Sequence, residues 1–148
     1  DPRTFNSLRE AMLVVLPFIL WCVANWSTTT LMDGEGKFTE IAMAAGYALL
    51  PFILIYSVQT LLSQFLISEE AALYGFLEAL ATAWFLWLLF IGTMTVHQYS
   101  VSKTIATIFI TLLVIGFILF LGLLAFSLVQ QVYSFIITIY WELTIRYK

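Results

Sequence analysis

Charged side chains are scarce in this sequence. They make up only 10% of its 148 residues, whereas hydrophobic side chains make up 62%. A soluble domain carries about a quarter charged residues, so a chain this poor in charge cannot cover its surface in water. The composition excludes an ordinary soluble domain and predicts an integral membrane protein whose partner is the lipid bilayer. No basic patch with interleaved aromatic residues is present, which excludes nucleic acid as a partner.

Cysteine and histidine are nearly absent, with one residue of each. Cys22 cannot form an internal disulfide, and its apolar neighbours are typical of a small buried residue. His97 has no base or nucleophile near it in sequence, and no Ser–His–Asp, paired-aspartate or HExxH pattern occurs. We therefore expect no enzymatic activity, no catalytic residue and no cofactor. At a helix end, His97 is expected to act as a C-terminal cap in its cationic form.

Long apolar runs dominate the chain instead. A membrane helix needs about 20 residues, and continuous apolar runs rather than alternating ones argue against barrel strands. The sequence therefore predicts a single all-α, polytopic membrane domain over residues 1–148. Its four visible spans are placed at about 11–31, 41–67, 73–96 and 104–127.

The last apolar stretch is too long for one crossing. From Thr104 to Trp141 it would measure roughly 55 Å as a helix that rises about 1.5 Å per residue. We therefore expect a break near 126–131 and interpret 129–148 as an amphipathic helix at the membrane interface. A fifth crossing is the weaker alternative, because charged residues crowd its end.

Small residues recur at four-residue spacing on two of the spans. This spacing lets membrane helices approach closely, so we expect both faces to contact other helices, either within this chain, which is the simpler alternative, or in a partner. The residues are Ala42 and Gly46 on the second span, and Gly75, Ala79 and Ala83 on the third. Pro51 lacks a backbone N–H and should kink the second span near 48–50.

An acidic loop with two glycines joins the first and second spans. This DGEGK loop consists of Asp33, Gly34, Glu35, Gly36 and Lys37. Its glycines allow a tight turn or a close backbone approach. Its acids resemble the start of a calcium loop but lack the remaining oxygen ligands, and its lysine lacks phosphate-loop spacing. We therefore expect no metal and interpret the loop as a solvated turn.

Polar side chains inside the spans are rare. Glu78 is the one acid within a predicted span, where a charge at the bilayer centre costs about 2.5–3.5 kcal/mol. It is either an interfacial acid or forms a polar contact inside the bundle, with Gln59 or Gln64 as the candidate across from it. A transport or permeation protein, the alternative function, would use a kinked polar pathway formed by Pro17, Asn25, Pro51, Gln59 and Glu78.

The internal loops indicate an orientation. Lys37 and Lys103 lie in loops on one side of the predicted spans, and Glu69 and Glu70 lie on the other. Since basic loops favour the cytoplasm, this asymmetry favours a cytoplasmic DGEGK loop. Basic residues near the two chain ends argue for the opposite orientation, but we give more weight to the internal loops.

Three stretches form a pattern that resembles a known family. They are WSTTTLMDGEGKF at 26–38, GYALLP at 46–51 and GTMTVHQYS at 92–100. The second stretch contains Gly46, Tyr47 and Pro51. The pattern is similar to the bacterial branch of the Yip-domain family of integral membrane proteins, over about 13–131. The resemblance implies five spans, a cytoplasmic N-terminus and a cytoplasmic DGEGK loop. Four spans are visible, so the family's first span would precede Asp1.

The same resemblance bears on partners. Eukaryotic members look like trafficking proteins that contact Rab-type GTPases, but their acidic-Leu-Tyr-Gly-Pro motif is not intact here, since Leu73-Tyr74-Gly75 is followed by Phe76. Rab binding is therefore not carried over. We expect a non-catalytic scaffold or accessory subunit of a bacterial cell membrane, acting through helix–helix contacts with transporter subunits, other membrane proteins or a second copy. Gly46, Tyr47 and Pro51 should serve packing rather than chemistry.

Overall fold

A computed structural model describes residues 7–62 and 71–146. Within these ranges all regular structure is helical, with α1 at Ser7–Leu31, α2 at Phe38–Ala48, α3 at Leu50–Leu62, α4 at Ala71–Val96 and α5 at Val101–Arg146. The described segments long and apolar enough to cross a membrane are Leu8–Leu31, Phe38–Leu62, Ala72–Val96 and Val101–Ile145. The predicted all-α, polytopic membrane architecture is confirmed.

The second predicted span is interrupted at Leu49, between α2 and α3. Pro51 has no N–H to donate, and its ring clashes with a carbonyl one turn earlier, so an unbroken helix is disfavoured here. The N–H of Leu49 instead makes a short-range bond to the carbonyl of Gly46 at 3.2 Å. The kink predicted at 48–50 is confirmed, while the end of that span, 63–67, lies outside the described residues.

Helix α2 lies between its neighbours. It packs against α1 and α4, and α3 packs against α4. Ile41, Ala45 and Ala48 are its buried residues. On α4, a Cβ added to Gly92 would lie 3.2 Å from the Cβ of Ala44. Small residues therefore bring α2 and α4 close together, as helix packing in a membrane favours.

Helix α5 runs for 46 residues. The chain divides into two compact units, and the division falls within this helix, after Leu112. Every described side chain from 119 to 145 is exposed. The helix continues through 126–131, where a break was predicted. That break was inferred from membrane thickness, but no proline or glycine follows Gly122 to interrupt the helix locally. The interfacial placement of the tail stays a prediction.

Candidate functional site

Helices α1 and α4 end with the same backbone turn. Asp33 and Gln98 both have a φ of 53°, in the left-handed region that non-glycine residues rarely occupy. In each turn the next amide donates back to the carbonyl five residues earlier, at 2.8 Å from Gly34 and at 3.0 Å from Tyr99. These are Schellman-type helix ends, which satisfy carbonyls of the last helical turn. They bend the chain sharply at the DGEGK loop and at the residues after α4.

The two turns meet in a buried group that we call the polar cluster: Asn25, Gly34, Gly36, His97 and Tyr99. His97 is its centre and is only 2% exposed. The N–H of Gly36 donates to Nδ1 of His97 at 3.3 Å, and Nε2 lies 3.3 Å from Oδ1 of Asn25. Because Nδ1 accepts, the imidazole is neutral with its proton on Nε2, which donates to Asn25. The cluster therefore joins α1, the DGEGK loop and the end of α4.

The electrostatics of His97 agree with this geometry. Burial lowers its pKa because a charged ring would lose its hydration, and the carboxylate of Glu40 opposes this shift only in part. A cationic ring also has no lone pair with which to accept from Gly36. The prediction of a cationic, helix-capping His97 is therefore wrong, because the ring is buried between hydrogen-bond partners from other segments.

Tyr99 forms the second wall of the polar cluster. Its ring stacks on that of His97, with the centroids 5.3 Å apart, and its hydroxyl donates to the carbonyl of Met32 at 3.0 Å. Nζ of Lys103 lies 4.3 Å from the Tyr99 ring centroid, within cation–π range. Burial raises the pKa of the Tyr99 hydroxyl, and the nearby charge of Asp33 raises it further. Tyr99 therefore connects Met32, the residue before the DGEGK loop, to Lys103 in α5.

Neither loop glycine has room for a larger side chain. A Cβ on Gly34 would lie 2.7 Å from both Nδ1 of His97 and the hydroxyl of Tyr99, and one on Gly36 would lie 2.8 Å from Cε1 of His97 and collide with Val96. No described glycine has a positive φ, so backbone conformation does not require them. The sequence allowed either a tight turn or a close backbone approach at these glycines, and the structure shows that they serve the close approach.

The DGEGK loop alternates between an inner and an outer side. Its two glycines are half-buried against the polar cluster, whereas its charged residues, Asp33, Glu35 and Lys37, are exposed. The solvated-turn interpretation thus describes only the charged side chains. Among the residues that the structure describes, no group of three His, Cys, Asp or Glu side chains could hold a metal ion.

A family model described as the Yip1 domain matches residues 5–124. The chain belongs to the Yip1 domain family. No curated protein and no solved structure matches it. The whole polar cluster lies inside the matched range, so it is part of the Yip1 domain itself. The predicted family resemblance is confirmed, and the placement in the bacterial branch stays a prediction.

Buried threonines extend the polar cluster of this Yip1 domain. Their hydroxyls donate to carbonyls four residues earlier in the same helix, at 2.8 to 2.9 Å, so they are satisfied without water. They are Thr28, Thr29, Thr104, Thr107 and Thr111, none more than 1% exposed. These threonines were not predicted from the sequence, although the spacing of the last three places them on one helix face.

The predicted packing faces of the Yip1 domain point outward. Gly46, Gly75, Ala79 and Ala83 are exposed, and a Cβ added to either glycine would meet nothing within 4 Å. Tyr47 is 69% exposed. Ala42, the remaining residue of the two predicted stripes, is half-buried, and whether these faces contact helices of this chain or of a partner stays a prediction. Of the signature residues only Pro51 is buried.

The polar intramembrane residues lie in three different surroundings. Asn25 belongs to the polar cluster, a position that was not predicted from the sequence. Gln59 is half-buried and its Nε2 donates to the carbonyl of Tyr74 at 3.2 Å. Glu78 is exposed, and its carbonyl accepts from the hydroxyl of Thr82 at 2.9 Å. Gln64 lies outside the described residues. The described structure provides no polar partner for the Glu78 side chain.

Proposed function

We propose that this Yip1 domain protein is a non-catalytic scaffold or accessory subunit that acts through helix–helix contacts in the membrane. The observation that carries the proposal is the α4 face formed by Gly75, Ala79 and Ala83, whose residues are exposed and where a Cβ added to Gly75 would meet nothing within 4 Å. Lipid gives no hydrophobic drive for helices to associate, so close backbone approach over small residues is a main source of association. We call these three residues the α4 small face.

A contact of the same kind within the chain supports this proposal. A Cβ added to Gly92 on α4 would lie only 3.2 Å from the Cβ of Ala44 on α2, so this fold already uses small residues to join helices. The α4 small face has the same chemistry and is exposed in the part of the chain that the structure describes. Its partner is another membrane protein, such as a transporter subunit, or a second copy. Gly46 and Tyr47 on α2 form a further candidate face.

The orientation that we propose places the DGEGK loop in the cytoplasm of a bacterial cell. Lys37 is exposed in that loop, and Lys103 stacks on Tyr99 of the polar cluster, so both cations belong to the same end of the Yip1 domain. Basic residues at one membrane face favour the cytoplasmic side. The charged residues of the loop are then available to soluble partners.

Purification in mild detergent, followed by native mass spectrometry, tests the proposal. We expect a complex with a defined partner or a second copy. Ala79→Trp should abolish it, because the larger side chain blocks close approach. Leu80→Trp is the matched control, since Leu80 is an exposed neighbour at 46% that lies about 100° around the helix from Ala79, and it should leave the complex intact. A strictly monomeric, partnerless protein would contradict the proposal.

The transport alternative has its own measurement. Liposomes that contain the protein should show no solute or ion flux beyond that of empty liposomes. If flux appears and is lost in Gln59→Leu or Glu78→Gln, the function is permeation rather than scaffolding. If it appears and survives both changes, the polar pathway assigned to those residues is wrong.

A further inference from the structure

A small cavity lies beside the polar cluster, between α1, α2 and α4. Its volume is about 10 Å³, close to the ~10–15 Å³ that one water molecule requires. Its lining is mostly apolar, and Asn25, Thr93 and His97 are the exceptions. No carboxylate, lysine or arginine lines it. The cavity thus has the size of a single water and offers no counter-charge to an ion.

Asn25 brings an unpaired donor to this cavity. The residue is only 1% exposed, and its Nδ2 has no hydrogen-bond partner. Leaving a buried donor unsatisfied costs about 1–3 kcal/mol. Its other amide atom, Oδ1, is already engaged with Nε2 of His97. Nδ2 is therefore the group through which Asn25 can bind a ligand in the cavity.

Rotating the amide does not remove this unpaired donor. Nδ1 of His97 accepts from the N–H of Gly36, so the ring proton must be on Nε2. Exchanging the two amide atoms of Asn25 would place NH₂ against that N–H, donor against donor. The hydrogen-bond network therefore fixes Oδ1 toward His97 and Nδ2 away from it.

We propose that this cavity is a binding site for one water molecule, which accepts a hydrogen bond from Nδ2 of Asn25 and donates one to Thr93. The hydroxyl of Thr93 already donates to the carbonyl of Leu89 at 2.9 Å, which leaves its oxygen lone pairs free to accept. Thr93 is 6% exposed, so bulk water does not compete. Buried waters with polar partners of this kind are integral parts of protein structures.

The water connects two helices that are otherwise not packed together. Within the described residues, α1 and α4 each pack against α2 but not against each other. The hydrogen bond from His97 to Asn25 links the end of α4 to α1, and the water adds a second link through Thr93, one helical turn earlier. The two links together hold α1 at a fixed position relative to α4.

Solution NMR of the full chain in micelles tests the site directly. The Nδ2 protons of Asn25 should show a dipolar cross-peak to water, with the rotating-frame sign that separates a bound water from proton exchange. Thr93→Val, which is nearly isosteric, should abolish the cross-peak, and Thr93→Ser should retain it. Thr82→Val is the control, because Thr82 is exposed on the same helix and should have no effect.

Two results would overturn the water site. One is an assigned Asn25 side chain that shows no water cross-peak in the wild-type protein. The other is a cross-peak that survives Thr93→Val at full intensity, which would remove Thr93 as the second partner. If Thr93→Val does not fold, Ala44→Val replaces it, because Ala44 lines the cavity and added methyl groups should displace the water.

Discussion

The backbone N–H of Gly36 donates to Nδ1 of His97 across 61 positions of the sequence. This single bond fixes the tautomer of the imidazole and holds the DGEGK loop against the end of α4. It requires a glycine at 36, a neutral ring at 97 and an acceptor for the proton on Nε2, which Asn25 supplies. Each requirement gives a measurable consequence.

A methyl group at position 36 should destabilise the Yip1 domain. In Gly36→Ala the new Cβ would lie 2.8 Å from Cε1 of His97 and collide with Val96, and such overpacking costs about 1–3 kcal/mol. Thermal unfolding in detergent should show a lower midpoint. Gly116→Ala is the control: a Cβ there meets nothing within 4 Å, and alanine favours a helix interior by up to about 1 kcal/mol. Equal thermal unfolding midpoints for the two variants would contradict the close approach of Gly36 to His97 and Val96.

Stability should fall on mild acidification. The pKa of folded His97 is lowered by burial, so between that pKa and the ordinary value of about 6.5 the unfolded chain binds more protons than the folded one. The contribution of the neutral ring is complete above pH ~6.5 and is lost as the pH falls through the folded pKa. Unfolding midpoints measured from pH 8 down to about pH 5 should therefore decrease.

His97→Gln is the control for this pH dependence. Glutamine offers an acceptor to Gly36 and does not titrate. The unfolding midpoint of the variant should therefore depend less on pH than that of the wild type. Protection of the Gly36 amide from hydrogen exchange should also drop on acidification in the wild type only, after correction for intrinsic exchange. If the unfolding midpoint depends equally on pH in the wild type and in His97→Gln, His97 is not the cause of the pH dependence.

Relief of backbone strain at Gln98 should stabilise the domain. A left-handed conformation costs a non-glycine residue about 1–2 kcal/mol, and Gln98 has a φ of 53°. Gln98→Gly should therefore raise stability by up to about 1 kcal/mol, since greater freedom of the unfolded chain offsets part of the gain. Gln98→Val, with a β-branched side chain, should lower it. If chemical denaturation shows that Gln98→Val has a higher free energy of unfolding than the wild type, the backbone at position 98 is not strained.

Local signals predicted the helices well. Apolar runs predicted the four long helices, although the last one continues past its predicted end at 127. Pro51 predicted the break at Leu49, because a missing N–H acts within one turn. The polar cluster was not predicted. Asn25 and His97 are 72 positions apart, and nothing local in either segment shows that their helix ends meet.

The packing faces show a second limit of the sequence. The small-residue rule predicted close helix contacts, and α2 and α4 approach closely at Ala44 and Gly92. The α4 small face, which the rule selected, is a different part of that helix. In a membrane helix, lipid-facing and helix-facing sides are both apolar, so hydrophobic periodicity does not tell them apart. The two interpretations of Glu78 stay open, because its side chain is exposed and Gln64, one of the partners predicted for it, lies outside the described residues.

Site-specific photocrosslinking in native membranes tests the central claim most directly, that the α4 small face binds another helix. A photoreactive side chain at Ala79 should give one discrete protein adduct, whose peptide is identified by mass spectrometry as a transmembrane segment. The same group at Leu80, the exposed neighbour about 100° around the helix from Ala79, should give lipid adducts. Lipid adducts alone at both positions would contradict the scaffold function.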